Sequence, residues 1–329
     1  MILIEFHEGQ GLGNQLWLYA TGKATADFLK CDLIIENPKL FKGIKFLTLE
    51  YNSTVFIDKK FKASFIIYNE PFFYDEALKA FITFYDQKIL TVKSHTILRG
   101  IFQSENYLMS HRNNICNIIK LKKIIHCPQT LRLFDSRTCV INLRGGEYKK
   151  FKTLILPFDY WKNAINYMKM NKDVNKFIVV TDDKYYAKAL FPDLEIISGS
   201  IELCFQYLIF ARNVIVSNSS FSYFPLSMNK NKPFVIAPVF WSRFNNSLKL
   251  WIAPCNLYKK WHWMDAQGSL FKYSHFKKTA CRTWSYYCKN FPLQNEWNFV
   301  DANIFNTWKI IIKRSIKKRI SFLLPTLIG

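Results

Sequence analysis

Between residues 136 and 237, short apolar runs alternate with segments whose apolar residues recur at helical spacing. A chain that alternates in this way is expected to form a parallel sheet covered by helices on both faces. Ligands of such sheets bind beyond the carboxyl ends of the strands, so we expect the loops after Leu143, Val180 and Val216 to share one crevice. Strands are predicted at Cys139–Leu143, Phe177–Val180, Leu194–Ile197, Val214–Val216 and Phe234–Ala237, and helices at Phe158–Met170, Tyr185–Leu190, Glu202–Ala211 and Phe221–Met228.

The amino-terminal residues predict a second α/β unit. The apolar run from Met1 to Phe6 reads as a strand, and the glycine-rich turn Gly9–Gly13 follows it. Asn14 is expected to open a helix, and a second strand is expected at Leu33–Ile35. The buried face of that helix is predicted to consist of Leu16, Trp17, Ala20, Ala24 and Phe28. This βαβ opening indicates an α/β domain, to which we assign the less regular sequence up to residue 135.

The remainder of the chain divides by composition. Residues 136–253 are predicted to form a carboxy-terminal α/β domain, separate from the amino-terminal domain of residues 1–135. Residues 254–300 are rich in Trp and Tyr and receive no fold assignment. Residues 301–329 are predicted to form a basic amphipathic helix, with Trp308, Ile312, Ile316 and Ile320 on one side and six Lys or Arg between Lys309 and Arg319. This tail is expected either to lie on an anionic membrane or to pack against the amino-terminal domain.

The charge of the chain indicates a polyanionic partner. Lys and Arg total 46 against 24 Asp and Glu, which gives a formal charge of +22. Nucleic acid, an anionic membrane surface and a phosphorylated small molecule would all satisfy such a charge. Interleaved aromatic residues keep a nucleic-acid-binding protein open as an alternative, although no recognised nucleic-acid module occurs. The eight cysteines contain no CxxC pair and no zinc-type spacing, which favours a reducing cytosol. No signal peptide and no apolar span of transmembrane length are predicted.

Five sequence blocks carry a family resemblance. They are Gly11–Gln15 followed by Tyr19 and Ala20, Gly100–Tyr107, Asn142–Tyr148, Thr181–Asp183 and Ile215–Phe224. In this order they resemble the motifs of the α-1,2-fucosyltransferases of glycosyltransferase family 11, over roughly residues 1–240. The resemblance implies a GT-B fold, with two Rossmann-type domains facing a cleft. It further implies that residues 1–135 form the acceptor side and that residues 136–253 bind the nucleotide sugar. It also implies inverting transfer of fucose from GDP-fucose to a saccharide acceptor, without a metal ion or other cofactor.

The resemblance further implies a setting. A bacterial enzyme of this type is expected to be cytoplasmic and peripheral at the inner face of the membrane, where it adds fucose to a saccharide, possibly lipid-linked, destined for O-antigen or capsule. The expected partners are the nucleotide-sugar donor, the saccharide acceptor and the anionic membrane surface, and no nucleic acid.

The sequence departs from the family pattern where the donor phosphates are expected. The paired arginines of the family become Arg144 and Gly145, so one two-pronged phosphate contact is missing. Lys149, Lys150 or Lys152 could supply a replacement charge, and a nucleotide sugar other than GDP-fucose remains an alternative donor. The other departures are Asn142 for histidine, Glu147 for aspartate, and Tyr223 and Phe224 for two tryptophans.

The residues offer specific roles around a nucleotide-sugar donor. Arg144 can donate two parallel hydrogen bonds to phosphate oxygens, or can form a surface ion pair. Asn218, Ser219 and Ser220 precede a helix whose amino terminus favours an anion, or they merely cap it. Asp182 or Asp183 could accept hydrogen bonds from a base or ribose, and the same turn could be a cap or a metal site; we expect no metal.

The candidates for the transfer itself lie at the glycine loop. The resemblance places Asn14 near the transfer point, and Glu8 and Glu147 are the nearest carboxylates that could accept a proton. We expect His7 to be structural. The backbone at Gly11 and Gly13 is expected to approach the donor, and the acceptor-side candidates are Gln103 and Glu105.

Overall fold

The computed structural model describes residues 1–54, 57–122, 135–241, 247–252 and 257–297. The strands are β1 (Ile2–Glu5), β2 (Leu33–Glu36), β3 (Leu47–Leu49), β4 (Ile66–Asn69), β5 (Phe72–Asp75), β6 (Ala80–Thr83), β7 (Thr96–Arg99), β8 (Ile119–Leu121), β9 (Thr138–Leu143), β10 (Lys176–Thr181), β11 (Glu195–Ser198), β12 (Asn213–Val216), β13 (Phe234–Pro238), β14 (His262–Met264) and β15 (Leu270–Lys272). The helices are α1 (Leu12–Phe28), α2 (Lys59–Ala63), α3 (Phe158–Lys172), α4 (Lys184–Leu190), α5 (Ile201–Phe210), α6 (Tyr223–Met228) and α7 (Lys277–Asn290).

Two parallel sheets organise these elements. The first has the strand order β2-β1-β7-β4, and the second has the order β11-β10-β9-β12-β13-β14-β15. All neighbours in both sheets are parallel except β14 and β15, which pair antiparallel. The alternation predicted from the sequence is therefore confirmed, with element ends within about two residues of the prediction.

The Trp- and Tyr-rich segment, which the sequence left unassigned, extends the second sheet. His262–Met264 pairs with Ile236–Pro238 of β13, and β15 then closes the edge. The helix α7 follows and buries Thr283 and Tyr287. Tyr287 donates a hydrogen bond of 2.8 Å to Asp75 of the amino-terminal unit, so this segment also ties the two units together.

Helix α1 is the main contact between the two units. It is buried on nearly every side, because it packs against β1 on one face and against Ser220–Met228 of the other unit on the opposite face. Trp17 stacks on Tyr223 with ring centroids 4.4 Å apart, and Tyr223 packs on Tyr258 at 4.5 Å. Phe28, expected in the core, is 57% exposed because it ends the helix beyond this contact.

The architecture agrees with the GT-B class predicted from the sequence, since two α/β units with parallel sheets face a common cleft. Within the described residues, no helix combines the length and apolarity needed to cross a membrane. The predicted basic helix at 301–329 lies outside the described residues.

Candidate functional site

A cavity of about 390 Å³ lies between the two units. One wall is formed by the carboxyl ends of β9 and β10 and by the loop after β12, as predicted from the alternation of strands and helices. The opposite wall is the glycine loop that joins β1 to α1. Of the candidates named above, the cleft is lined by Glu8, Gly11, Gly13, Asn14, Arg144, Glu147, Asp182, Ser219 and Ser220.

Arg144 enters the cleft held by Asp182. Its Nη1 atom lies 2.8 Å from Asp182 Oδ2, while Asp182 Oδ1 accepts a hydrogen bond of 2.9 Å from the Gly145 amide. The guanidinium also lies 5.7 Å from the centre of the Tyr148 ring. The Nε donor of Arg144 is buried and has no hydrogen-bond partner among the described residues. Asp182 therefore orients Arg144, and part of the guanidinium fork is left to meet a ligand.

Asp183 has the capping role, which the sequence offered as an alternative to a nucleoside contact. Its carboxylate caps α4 by accepting from the Tyr186 amide at 3.0 Å, and it forms an ion pair with Lys149. The hydrogen bond from Lys149 lowers the pKa of Asp183. Asp183 is absent from the described lining of the cleft, because capping turns the carboxylate towards its own helix.

The missing second arginine has a steric explanation. A Cβ atom built on Gly145 would lie 2.7 Å from Asp183 Cβ and 2.9 Å from a ring atom of Tyr186. Any larger side chain would have to move the first turn of α4. Lys149, one of the lysines considered as a substitute, has its charge compensated by Asp183.

Asn14 lies at the junction of the two units. Its Oδ1 atom accepts hydrogen bonds from Gln103 Nε2 at 2.7 Å and from Ser220 Oγ at 2.8 Å. These two donors fix the orientation of the amide, and the Nδ2 donors have no hydrogen bond within the described part of the chain. Helix α1 begins at Leu12, with Gly11 as its amino-terminal cap, so it starts two residues before Asn14, where the sequence predicted its start. Gln103 lies behind Asn14 and does not itself line the described cleft.

Glu105, an acceptor-side candidate, bonds groups of the second unit. Its carboxylate accepts hydrogen bonds from Tyr223 Oη and from the Lys259 amide, both at 3.2 Å. Burial raises the pKa of Glu105. The residue joins the two units beside the stacked rings of Trp17, Tyr223 and Tyr258 and is not part of the described cleft lining.

Several buried polar atoms at the edge of the second sheet lack partners. Asn142 is 6% exposed, Ser217 1% and Asn218 3%. The side-chain oxygen of each of these residues has no hydrogen bond among the described residues. A buried polar group without a partner costs about 1–3 kcal/mol, so this edge is suited to water or to a polar ligand. Asn142 lines the cleft, whereas Asn218 is turned inwards because its Nδ2 donates to the Leu154 carbonyl at 3.0 Å.

Ser219 has the capping role, one of the two roles considered for it, at a position on the wall of the cleft. It lines the cleft, and its Oγ accepts from the Phe221 amide at 3.3 Å, so that it caps the short 3-10 turn Ser220–Ser222. The longer helix whose amino terminus reaches the cleft is α5, through Gly199 and Ile201. The sequence placed the anion-binding helix end after β12 and did not identify α5 for this position.

Glu8 and Glu147 are exposed at the rim of the cleft. Either carboxylate is accessible to an incoming acceptor as a candidate base. His7 also lines the cleft, and burial lowers its pKa, so it is neutral at neutral pH.

Sequence reasoning missed two further residues. Gln15 is completely buried; its Nε2 donates to the Leu40 carbonyl at 2.8 Å and its Oε1 accepts from the Lys42 amide at 2.9 Å. Lys42 is exposed and lines the cleft. The available signal was Gln15 itself, since it ends the glycine-loop block that carries the resemblance. Among the described residues, no group of three or more His, Cys, Asp or Glu is placed to hold a metal ion.

No protein-family model matches the sequence. The chain is 26% identical over 190 residues to the O-antigen biosynthesis glycosyltransferase WbnK of Escherichia coli, an alignment that covers 49% of this chain and 60% of that protein. The chain thus spans less than two thirds of the length of this relative.

Solved structures give weaker likenesses. The fucosyltransferase NodZ from Bradyrhizobium is 16% identical, with 68% of this chain and 92% of that chain covered and a TM-score of 0.41. The Escherichia coli heptosyltransferase WaaC with ADP is 11% identical, with 86% and 99% covered and a TM-score of 0.38. A mutant of Arabidopsis thaliana FUT1 in complex with GDP is 10% identical, with 71% and 70% covered and a TM-score of 0.42.

Proposed function

We propose that this protein is an inverting glycosyltransferase that transfers fucose from GDP-fucose to a saccharide acceptor of a surface polysaccharide, O-antigen or capsule. The observation that carries the proposal is the meeting of Arg144 and Asn14, one from each α/β unit, in a single cleft at the carboxyl edge of a parallel sheet. The ordered sequence blocks support the fucosyltransferase class, and the similarity to WbnK supports a glycosyltransferase of O-antigen synthesis.

In the proposed reaction the donor diphosphate lies at the edge of the second sheet. Arg144, oriented by Asp182, donates hydrogen bonds to its oxygens, and the amino terminus of α5 adds a favourable field. The acceptor hydroxyl oxygen bonds to the anomeric carbon while the bond from that carbon to the phosphate oxygen breaks. The hydroxyl proton passes to Glu8, to Glu147 or to the departing phosphate. Direct displacement inverts the anomeric centre, and no metal ion or cofactor is required.

A different nucleotide sugar is the second candidate donor. It is favoured by Gly145, because the cleft lacks the second arginine of the fucosyltransferase motif and the backbone at this position has no room for one. We further infer that the enzyme acts at the inner face of the bacterial membrane, where a lipid-linked acceptor would be available.

A panel of nucleotide sugars tests the proposed activity. GDP-fucose should raise the melting temperature of the purified chain by mass action and should be hydrolysed slowly without an acceptor. If only a UDP-sugar or an ADP-sugar raised the melting temperature, the donor would be that nucleotide sugar and not GDP-fucose. Stabilisation by an oligonucleotide and by none of the sugars would contradict a glycosyltransferase.

Arg144→Lys tests the phosphate contact. A lysine keeps the charge but loses the planar fork, so kcat/KM should fall by about 1.5–3 kcal/mol in transition-state stabilisation, or roughly tenfold to a hundredfold. Arg137→Lys is the matched control, since Arg137 is an exposed partner of Asp135 away from the cleft lining. Near wild-type turnover by Arg144→Lys, with an unchanged melting temperature, would remove the role assigned to Arg144.

A further inference from the structure

We propose that Lys42 is the second phosphate contact of the donor site, supplied by the amino-terminal unit, and that Gln15 positions it. The inference rests on the proposed nucleotide-sugar function and concerns how the cleft balances the charge of the donor. It assigns a binding role to a residue in a part of the sequence without a recognisable motif.

The charges that line the cleft leave a deficit for a diphosphate. Arg144 is paired with Asp182, and the other lining carboxylates are Glu8 and Glu147. A nucleoside diphosphate brings at least two further negative charges. Arg144 cannot balance them, because its own positive charge already faces the carboxylate of Asp182. Among the described lining residues, Lys42 is the remaining lysine or arginine, and His7 is neutral at neutral pH because its pKa is lowered by burial.

Lys149 and Lys150, considered above as replacement charges, do not belong to the described lining of the cleft. Lys149 forms its ion pair with Asp183, outside the described cleft lining. Position 145 has no room for a side chain. Lys42, in contrast, forms no ion pair within the described residues and is exposed to the cleft. It is therefore available to a ligand without breaking an existing contact.

Gln15 fixes the backbone that carries Lys42. The buried side-chain amide of Gln15 bonds both the Leu40 carbonyl and the Lys42 amide, so the loop after β2 is clamped onto α1 from both sides of Phe41. A buried amide that satisfies one donor and one acceptor of the same loop specifies the position of that loop. Because Asn14 is also on α1, these two hydrogen bonds fix the backbone of Lys42 relative to Asn14 and the glycine loop.

This arrangement makes the donor a bridge between the two units. The diphosphate would be held by Arg144 from the second sheet and by Lys42 from the first. A nucleoside without phosphates would contact neither cation. Lys42 should therefore affect the binding of a nucleoside diphosphate and leave the binding of the free nucleoside unchanged.

The test compares Lys42→Ala with Lys39→Ala and Lys45→Ala in the full chain, by calorimetric titration with GDP and with guanosine. Lys39 and Lys45 are exposed lysines of the same loop outside the described cleft lining, so they match the change in net charge. Lys42→Ala should weaken GDP binding on the order of tenfold or more, as expected for a lost hydrogen bond to a charged group, with guanosine unaffected. The two controls should match the wild type.

The outcomes separate this inference from the proposed function. If the wild type binds GDP, ADP or UDP and Lys42→Ala binds it as tightly as the controls do, the role of Lys42 is overturned and the proposed function stands. If Lys42→Ala weakens guanosine and GDP equally, Lys42 is not a phosphate contact. If the wild type binds none of the three diphosphates, the proposed function fails and the inference fails with it.

A double-mutant cycle tests the clamp. Gln15→Leu keeps the volume of the buried side chain but removes both hydrogen bonds to the loop, so it should weaken GDP binding in the wild-type background. In the Lys42→Ala background it should cause no further weakening. An equal loss in both backgrounds would show that Gln15 acts on binding independently of Lys42.

Discussion

The side-chain amide of Asn14 connects three segments that are far apart in the sequence. Its oxygen receives hydrogen bonds from Gln103 and Ser220, so this one atom links side chains of both α/β units. Both donors approach the oxygen, which leaves the Nδ2 group as the part of the amide that can serve a ligand. The orientation of this amide is thus determined by the fold, although the residue lies in a glycine-rich turn.

Asn14→Asp separates the two halves of this amide. The aspartate keeps an oxygen for Gln103 and Ser220, and an acid in the first turn of a helix is favourable, so the melting temperature should change little. The exchange replaces the Nδ2 donor with a charged oxygen, and transfer activity should fall at least tenfold. Turnover assays and thermal melts on the same preparation provide the check, and an undiminished kcat would leave Asn14 with only its contact between the units.

Gly13 and Gly11 form a matched pair of substitutions. A Cβ on Gly13 would lie 2.6 Å from the Phe221 amide nitrogen, whereas a Cβ on Gly11 would meet no atom within 4 Å. Gly13→Ala should therefore force the units apart and lower the free energy of unfolding by about 1–3 kcal/mol, as overpacking does. Gly11→Ala should stay within about 1 kcal/mol of the wild type. Chemical denaturation measures both, and equal stabilities would contradict the close approach at Gly13.

The sequence anticipates some of these residues and misses others for a physical reason. Arg144 and Asp182 follow predicted strands, so their place at one edge of the sheet follows from topology. That Asp182 orients Arg144, and that Gln15 holds Lys42, depends on side-chain distances across loops. No local periodicity encodes such distances, and only the structure supplies them.

Some secondary-structure elements could likewise be predicted from the sequence, and others could not. The strands and helices between 138 and 238 were predictable because they alternate regularly along the sequence. The strands of this series also pair with one another in the sheet. The pair β3 and β8 was not, since it joins Leu47–Leu49 to Ile119–Leu121 across a long stretch of chain. Strand β14 joins the second sheet only through pairing with β13. Short strands with distant partners leave little signal in the sequence around them.

The turn from Ile101 to Gln103 is an element held by a buried carboxylate. Oε2 of Glu70 accepts hydrogen bonds of 2.8 Å from the amides of Ile101 and Phe102, and Phe102 has a φ of 50° in the left-handed region. Gln103 follows and reaches Asn14. Burial raises the pKa of Glu70 from 4.5 to about 7. The support of this turn is therefore sensitive to pH near neutrality.

Glu70→Gln tests this dependence. The folded state binds the Glu70 proton more tightly than the unfolded state, so this group stabilises the fold below about pH 4.5 and loses that contribution as the pH rises to about 7. The loss is about 3 kcal/mol at most. Urea denaturation at pH 5 and pH 8 should show a larger fall for the wild type than for Glu70→Gln. Parallel pH profiles of the two proteins would rule out titration of Glu70 in this range.

At the scale of the whole molecule, the excess positive charge does not lie in the cleft. The described lining contains two basic residues, Lys42 and Arg144, against the carboxylates of Glu8, Glu147 and Asp182. A cleft of this kind suits a small phosphorylated ligand better than a polyanion that follows a continuous basic groove. The cleft therefore accounts for little of the net charge of +22, and six of the Lys and Arg residues lie in the sequence at 309–319.

We expect the residues around 304–324 to bind an anionic membrane surface and to bring the cleft to a lipid-linked acceptor. This segment lies outside the described residues, and the expectation comes from its sequence. Each cation near such a surface contributes about 1 kcal/mol, so replacing Lys313, Arg314, Lys317 and Lys318 by Gln should weaken binding by roughly two to three orders of magnitude. The matched control replaces four exposed lysines elsewhere, Lys60, Lys93, Lys184 and Lys230, by Gln.

Sedimentation with vesicles of phosphatidylglycerol and phosphatidylcholine measures the effect. The wild type and the control variant should sediment with the anionic mixture and remain in solution with pure phosphatidylcholine. The tail variant should remain in solution with both while it still binds the donor nucleotide. If the tail and control variants bind anionic vesicles equally, net charge alone causes the binding, and the stripe of Trp308, Ile312, Ile316 and Ile320 is better explained by packing against the amino-terminal unit.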